Sequence, residues 1–198
     1  MRGGVQRGKD STALLALVRE EVPDIPLLFA DTSVKFPETY AFMERLREAW
    51  GLNLHTARNE WDEAEWERSK VDCCYRLKVE PFNHLVTELG LDAVFVAIRR
   101  DEHPARSKAK YYDNVGGVTH IEKVEFDHQR VHPILDWTED DVWSYIRDHD
   151  LPYNPLYDRG YRSIGCAPCT EPSAEGERSG REQDKELVLD RLRSLGYF

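Results

Sequence analysis

The sequence predicts an α/β protein built on a doubly wound, mostly parallel sheet. Two short, continuous apolar runs, at residues 25–30 and 93–98, are typical of strands that are buried on both faces. Segments whose apolar residues recur at helical spacing alternate with these runs. Strands that alternate with helices indicate a parallel sheet with helices packed on both sides.

The elements follow one another in a regular order. Helices are predicted over residues 12–18, 37–50 and 81–89, and a further helix begins at Thr138, where a capping residue precedes an acidic first turn. That helix is expected to end before Leu151 and Pro152. Few residues precede the first helix, so the strand expected before it is very short or lies outside this sequence. Residues 171–184 are polar and contain glycine, which predicts a mobile linker.

Composition limits the classes of function. The 198 residues, 40% of them hydrophobic, fit one domain with a real core. A net charge of -10 disfavours general binding to nucleic acid, because the phosphate backbone is itself negative. The sequence has no long apolar run and no apolar stretch after Met1, so neither a membrane span nor a signal peptide is predicted. We therefore expect a cytoplasmic protein.

The first chemical motif lies where the first helix begins. Gly8, Lys9, Asp10 and Ser11 stand at its mouth, where unpaired backbone N–H groups and the helix dipole favour an anion. Phosphate or sulfate fits this chemistry. An ordinary helix start capped by Asp10 or Ser11 is the alternative, and the spacing is not that of a Walker loop.

Charged residues also follow both predicted strands. Asp31 comes directly after the first apolar run, at the strand end where open α/β sheets bind ligands, and could accept hydrogen bonds from a nucleoside. Arg99, Arg100 and Arg106 follow the second run and could bind sulfate or phosphate oxygens through planar guanidinium groups. A capped loop at Asp31 and a solvated charged loop after residue 98 are the alternatives.

Four cysteines form the sharpest constellation, as an adjacent pair, Cys73 and Cys74, and a Cys-x-x-Cys pair, Cys166 and Cys169. In a reducing compartment they indicate metal ligation or redox chemistry rather than disulfides. Four thiolates suit structural zinc or an iron-sulfur cluster. Adjacent cysteines are unusual ligands for zinc, which favours a cluster. Lys78, one helical turn beyond Cys74, could offset the charge of that cluster or be a surface lysine.

Together these motifs resemble the phosphoadenosine-phosphosulfate reductase superfamily, which includes the small subunit of the heterodimeric sulfate adenylyltransferase. The resemblance runs from Gln6 to about Arg181. Three strings are similar to the iron-sulfur adenylylsulfate reductases in particular: Cys73-Cys74-Tyr-Arg-Leu-Lys78-Val-Glu-Pro81, Pro133-Ile-Leu-Asp-Trp137-Thr-Glu-Asp-Asp-Val-Trp143, and the stretch from Pro152 through Cys166-Ala-Pro-Cys169-Thr.

The resemblance implies an adenine nucleotide alpha hydrolase-like (PP-loop) fold, with a nucleotide-binding domain over residues 1–170 and a C-terminal linker and helix over residues 171–198. It also implies a 4Fe-4S cluster on the four cysteines with Lys78 beside it, and adenylylsulfate as substrate. By position, the nucleotide or its sulfate would be contacted by Lys9, Ser11, Arg99, Arg100, Arg106, Arg178 and Arg181. In the family's reaction a thiolate attacks the sulfate sulfur, AMP leaves, and a thioredoxin-like dithiol releases sulfite.

Two departures from the family pattern leave alternatives open. Gln6 and Arg7 replace the serine and first glycine of the family's loop, and the family's catalytic Glu-Cys-Gly segment has no counterpart here. The end of the sequence, Arg-Leu-Arg-Ser-Leu-Gly-Tyr-Phe, resembles that of the adenylyltransferase small subunit. Three hypotheses are therefore weighed. The first is a reductase whose thiol nucleophile is missing or comes from a partner subunit or a bound thiol. The others are an ATP-using adenylyltransferase or related sulfurtransferase with a cluster, and a noncatalytic nucleotide-binding or cluster-carrying module. A homo-oligomer is also compatible with the sequence.

Overall fold

The computed structural model of the chain describes residues 8–59, 69–119 and 123–197. Gln6 and Arg7 lie outside the described residues. The strands are β1 (Leu27–Asp31), β2 (Leu54–Arg58), β3 (Ala93–Phe95), β4 (Tyr112–Val118) and β5 (Glu125–Val131). The α-helices are α1 (Lys9–Glu21), α2 (Pro37–Trp50), α3 (Lys70–Cys74), α4 (Glu80–Glu88), α5 (Glu139–Asp148), α6 (Gln183–Leu187) and α7 (Leu189–Ser194).

The strands form two sheets, and each sheet contains one parallel pair. β1 pairs in parallel with β2, and β3 pairs in parallel with β5. The antiparallel pairing of β4 with β5, which gives the strand order β3-β5-β4, was not predicted. Beyond the three residues of β3, Val96 still donates a backbone hydrogen bond to the carbonyl of Val131 at 2.9 Å. The second predicted run is therefore only partly a regular strand.

Helices cover β1 from both sides, as the doubly wound class requires. The five residues of β1 are all buried, and alternate side chains enter different cores. Leu28 and Ala30 join a core that includes side chains of α4 and α7, whereas Leu27 and Phe29 join a core that includes side chains of α1 and α2. Because successive strand residues point to opposite faces, a continuous apolar run is what such a strand needs. The predicted fold class is confirmed.

The helix around the first cysteine pair begins earlier than predicted. Helical structure starts at Lys70, where Ser69 accepts the N–H of Asp72, and it continues without a break to Glu88. Between α3 and α4 the turn widens into a π-helical segment, Tyr75–Val79. Such wide turns recur at functional sites. Cys73, Cys74 and Lys78 therefore share one continuous helical stretch.

The C-terminal segment packs on the rest of the chain. Glu171 donates its N–H to the carbonyl of Gly180 at 2.8 Å, and Thr170 forms a β-bridge with Arg181. Leu189 and Leu192 of α7 are fully buried in the core with α4. Across the described ranges, no helix is both long and apolar enough to cross a bilayer. Residues of the segment that was predicted as a linker therefore line the candidate active site.

Candidate active site

The N-terminus of α1 forms one wall of the site. Gly8 precedes the helix in an extended conformation, and no side chain caps the first turn. The backbone N–H of Lys9 donates to the Tyr157 hydroxyl at 2.8 Å. A β-carbon at Gly8 would lie 2.8 Å from that same oxygen, so a residue with a side chain would displace Tyr157. Burial raises the pKa of Tyr157 to about 12, which keeps the phenol protonated at neutral pH.

A buried network of charges lies beside this helix start. Lys9 and Arg99 are 1% and 0% exposed, and both contact the carboxylate of Glu177. Arg99 donates to Glu177 at 2.6 and 2.5 Å and, through Nε, to Asp10 at 2.5 Å. Burial opposes the charge of Lys9, but Asp10, the Tyr157 hydroxyl and Glu177 together hold its pKa well above the ordinary value. Two cations thus remain charged in a desolvated position.

An open cavity extends from this network toward the C-terminal segment. Residues from α1, from the turns after β3 and from the segment after Cys169 line it. They include Gly8, Asp10, Ser11, Lys78, Arg106, Tyr157, Gly165, Arg178, Arg181 and Tyr197. Arg178 is held by Glu186 at 2.7 and 2.8 Å, and Arg106 is held by Glu102. The sequence places these residues far apart, and the fold brings them together around one cavity. We refer to this space as the anion cavity.

Two predicted site residues point elsewhere. Asp31 accepts the Ser33 N–H at 2.8 Å and the Tyr40 hydroxyl at 2.7 Å, and it pairs with Arg58 at 2.9 Å. Arg100 pairs with Asp136 on the surface, and its guanidinium donates to the carbonyl of Ala109 at 3.1 Å. Neither side chain lines the anion cavity, although Arg99, the neighbour of Arg100, lies in the buried network at its edge.

All four cysteines line a second cavity, which we call the thiol cavity. The hairpin that carries Cys166 and Cys169 approaches the helix that carries Cys73 and Cys74, and the remaining walls are apolar or basic: Val34, Lys70, Leu77, Lys78 and Pro168. All four side chains are free thiols. Burial raises the pKa of Cys73 and, with help from Glu182, raises that of Cys169 to about 11. A metal that binds here must therefore displace protons.

The donor set fits an iron-sulfur centre. Four thiols face one space, and thiolates are the ligands that hold such clusters. Within residues 8–59, 69–119 and 123–197, no group of three or more histidine, cysteine or acidic side chains is arranged to hold a metal ion. The cysteines therefore indicate a candidate metal centre by the chemistry of their thiols and not by a preformed arrangement of ligands.

A buried lysine supports the cysteine hairpin. Lys35 forms a β-bridge with Cys166, and the neighbouring carbonyl of Val34 accepts the N–H of Ala167 at 2.8 Å. The ammonium group of Lys35 lies 3.1 Å from the Thr32 hydroxyl and 3.9 Å from the Cys166 sulfur. Thr32 itself lies 3.3 Å from that sulfur. Hydrogen bonds to ligating sulfurs are one of the ways by which proteins tune such centres.

Lys78 connects the two cavities, because its side chain lines both of them. Its ammonium group lies 5.7 Å from the centre of the Tyr197 ring, and that of Lys185 lies 5.3 Å from it. Burial alone would raise the pKa of Tyr197, but Lys185 and Lys78 outweigh it and bring the value to about 7. A cationic side chain thus lies between the thiol cavity and the anion cavity.

Comparison with known proteins extends over most of the chain. The family described as the phosphoadenosine phosphosulfate reductase domain matches residues 5–172. The chain belongs to the phosphoadenosine phosphosulfate reductase family. The matched residues of this family include all four cysteines, Lys9 and Arg99. Glu177, Arg178, Arg181 and Tyr197 lie beyond them.

Individual members of the phosphoadenosine phosphosulfate reductase family are similar over the same length. An adenosine 5'-phosphosulfate reductase of Staphylococcus haemolyticus is 35% identical over 187 residues, covering 88% of this chain and 72% of its own. A phosphoadenosine 5'-phosphosulfate reductase of Alkalilimnicola ehrlichii is 38% identical over 180 residues, covering 85% and 69%. Curated relatives of this family are thus named as oxidoreductases that act on sulfur groups.

Solved structures agree with the fold. The phosphoadenylyl-sulfate reductase of Candida auris, in complex with phosphate, aligns with a TM-score of 0.63 and 25% identity over 86% of this chain and 82% of its own. A Candida glabrata FMN adenylyltransferase aligns with a TM-score of 0.68 and 21% identity over 87% and 57%, which supports the fold alone. The PP-loop fold expected from the resemblance to the phosphoadenosine phosphosulfate reductase family is confirmed.

Several residues of the site escaped sequence reasoning. Glu177 lies in a polar stretch that resembles a linker, and only its position next to Arg178 in the sequence could have drawn attention to it. Lys35 stands between β1 and α2, and Tyr157 begins a short 3-10 turn, and neither residue belongs to a local chemical pattern. Tyr197 belongs to the final Gly-Tyr-Phe string. That string indicated a similarity to the adenylyltransferase small subunit, but it did not indicate that Tyr197 lines the anion cavity.

Proposed function

We propose that this chain is a sulfonucleotide reductase of sulfate assimilation that takes adenylylsulfate as its substrate. The proposal rests above all on the position of Lys78 between a cavity lined by four thiols and an anion-binding wall. Membership of a family whose curated relatives include adenosine 5'-phosphosulfate reductases supports the same substrate class.

In this proposal the charged groups of the nucleotide bind in the anion cavity. Phosphate and sulfate oxygens would lie at the start of α1, where Gly8 and Ser11 line the anion cavity and Ser11 offers a hydroxyl. Arg106, Arg178 and Arg181 line the same cavity and would donate to these oxygens. Fixed donors of this kind hold the sulfur in place for attack and stabilise the charge that develops on the leaving phosphate.

The proposed reaction transfers a sulfo group and then reduces it. A thiolate forms a bond to the sulfate sulfur while the bond from that sulfur to the phosphate oxygen breaks, and AMP leaves with the electron pair. A second thiolate then attacks the sulfur of the first thiol, so that sulfite leaves and the two thiols become a disulfide. Sulfur gains two electrons, and the dithiol supplies them. Because all four cysteines of this sequence line the thiol cavity, we assign the nucleophile to another thiol, such as that of a thioredoxin-like dithiol.

Cys73, Cys74, Cys166 and Cys169 are the residues that would hold a 4Fe-4S cluster, with zinc as the alternative occupant. When bound, the cluster supplies a compact redox-active and electrostatic group beside the anion cavity. Lys78 would lie between that group and the substrate, and Lys35 and Thr32 would donate toward the Cys166 sulfur.

The test compares three nucleotides in parallel under anaerobic conditions: adenylylsulfate, its 3'-phosphorylated form and ATP. With a thioredoxin-like dithiol present, we expect sulfite release, fastest from adenylylsulfate. ATP-pyrophosphate exchange without sulfite release would instead identify an adenylyltransferase. Nucleotide binding without either activity would identify a noncatalytic module.

A pair of matched variants ties the activity to the site. Lys9→Met removes the buried ammonium group of the first residue of α1 and should abolish most of the nucleotide binding, because the anion loses a charged partner. Lys108→Met makes the same chemical change at an exposed position. Equal loss in both variants would contradict the assignment of the anion site.

A further inference from the structure

Glu177 is bound where the proposed function places the substrate's charge. Its carboxylate contacts the ammonium group of Lys9 and accepts two hydrogen bonds from Arg99, at 2.6 and 2.5 Å. Its side chain is only 10% exposed. A carboxylate is thus held against two cations at the start of α1, in the position that an anionic ligand would occupy.

The other donor at this helix start is also satisfied from within the chain. The N–H of Lys9, which α1 leaves unpaired in its first turn, donates to the Tyr157 hydroxyl. Desolvation opposes the burial of Lys9 and Arg99 without any anion, so some counter-charge has to be present. Glu177 supplies part of it, together with Asp10, which also pairs with both cations.

The bond to Glu177 is also one that a ligand can replace. Asp10 and Asp101 also contact the guanidinium of Arg99, each at a different nitrogen from Glu177, so Arg99 keeps two carboxylate partners when Glu177 leaves. Burial and the charge of Asp10 raise the pKa of Glu177 even though Lys9 and Arg99 act in the opposite direction. A carboxylate in this position is held less firmly than the number of its hydrogen bonds suggests.

The segment that carries Glu177 also carries two arginines of the anion cavity. Arg178 and Arg181 follow within four residues, and the loop is closed by the hydrogen bond from the Glu171 N–H to the Gly180 carbonyl. Glu177 and Arg178 therefore share one loop, and the Arg178 guanidinium is held by Glu186.

We propose that Glu177 is an internal competitor for the anion site, bound in the ligand-free protein and displaced when a phosphate or sulfate group of an adenine nucleotide binds. The inference rests on the proposed function, since it takes the start of α1 as the nucleotide's anion site. Displacement frees Lys9 and Arg99 for the ligand and lets the loop reposition Arg178 against it. Ligand binding is weakened by the fraction of molecules in which Glu177 is bound.

Calorimetric titration with AMP, adenylylsulfate and inorganic sulfate tests this competition. Glu177→Gln removes the competing charge, so its affinity for AMP and adenylylsulfate should rise roughly tenfold if about nine-tenths of the free protein is in the closed form. Glu175→Gln makes the same change two residues away, on an exposed side chain, and should bind like the unaltered protein. If Glu177→Gln does not fold, Glu177→Asp, whose shorter side chain cannot reach both cations, takes its place and should also bind more tightly.

The possible outcomes separate the competition from the function. Equal or weaker nucleotide binding by the Glu177 variants, with sulfite release intact in the unaltered protein, overturns the competition and leaves the reductase assignment in place. Tighter binding by both Glu177→Gln and Glu175→Gln also overturns it, because net charge alone would then explain the gain. No nucleotide binding by any of these proteins overturns the proposed function and the competition together.

Discussion

The backbone of Gly165 lies against the guanidinium of Arg181, so close that a β-carbon at position 165 would overlap it. Arg181 is 7% exposed and lines the anion cavity, and the glycine allows it to lie there. Gly165→Ala should therefore displace Arg181, lower the affinity for adenylylsulfate, and reduce the free energy of unfolding by about 1–3 kcal/mol through overpacking. Calorimetric titration and chemical denaturation measure the two effects.

Gly176→Ala is the matched control for that substitution, because a β-carbon at Gly176 would meet nothing within 4 Å. It should bind nucleotide and unfold like the unaltered protein. A Gly165→Ala protein with unchanged affinity would show that Arg181 does not contact the nucleotide.

Loss of one thiol should cost the metal centre. Cys166→Ser is expected to lower the iron content after anaerobic reconstitution and to remove the brown colour of an iron-sulfur protein, because a hydroxyl is a poor substitute for a soft thiolate ligand. Iron analysis and visible absorption check this. Unchanged iron in the variant would contradict the ligand role, and zinc in place of iron in the unaltered protein would contradict the cluster.

Lys35→Met should change metal retention and the stability of the metal-free protein in different ways. The ammonium group near the Cys166 sulfur offsets the negative charge of ligating thiolates, so its loss should speed the release of iron to a chelator. The metal-free protein should not become less stable, because an apolar side chain then occupies a buried position. Lys108→Met serves as the exposed control. Iron release at the same rate in all three proteins would exclude a role for Lys35 at the thiols.

Acid should destabilise the fold through His128, which is 3% exposed and has no hydrogen-bond partner for either ring nitrogen within the described ranges. Burial, assisted by Arg130, lowers the pKa of His128 to about 4, below the ordinary value of about 6.5 for the unfolded chain. Between these values the unfolded chain binds a proton that the folded chain does not, so stability falls as the pH decreases through this window. The loss reaches at most about 3 kcal/mol at the acid end.

Urea denaturation at several pH values between 7.5 and 4 measures this effect. His128→Leu should flatten the dependence on pH, whereas His149→Leu, at an exposed histidine, should leave it unchanged. Identical pH profiles for the unaltered protein and His128→Leu would show that other groups govern the acid response.

Local patterns in the sequence were sufficient to predict much of this fold. The apolar run of β1 is a local consequence of burial on both faces, and the helix after Thr138 is marked by a capping box with Asp141. β5 escaped prediction because two of its buried side chains, His128 and Arg130, are polar and hide the alternation that marks a strand. Its partner β4 is largely exposed and contains two glycines.

The site was predictable where its chemistry is concentrated in short strings and unpredictable where it depends on tertiary contact. The four cysteines and the Gly8-Lys9 turn were found because their residue types are specific to ligation and anion binding. The bond between Glu177 and Arg99 joins residues 78 positions apart, and no local pattern encodes it. The same holds for the contact between Lys35 and Cys166. This contact forms only when the cysteine hairpin folds against Lys35, so no local pattern predicts it.

Lys78 has a thermodynamic consequence because one ammonium group borders two spaces that each attract a negative species. Whatever charge the thiol cavity acquires changes how strongly Lys78 can draw a nucleotide into the other cavity. By linkage, a bound nucleotide would alter the affinity of the thiols for a metal by the same factor. The occupancy of either cavity therefore affects the affinity of the other cavity for its ligand. A single cation couples the two binding sites.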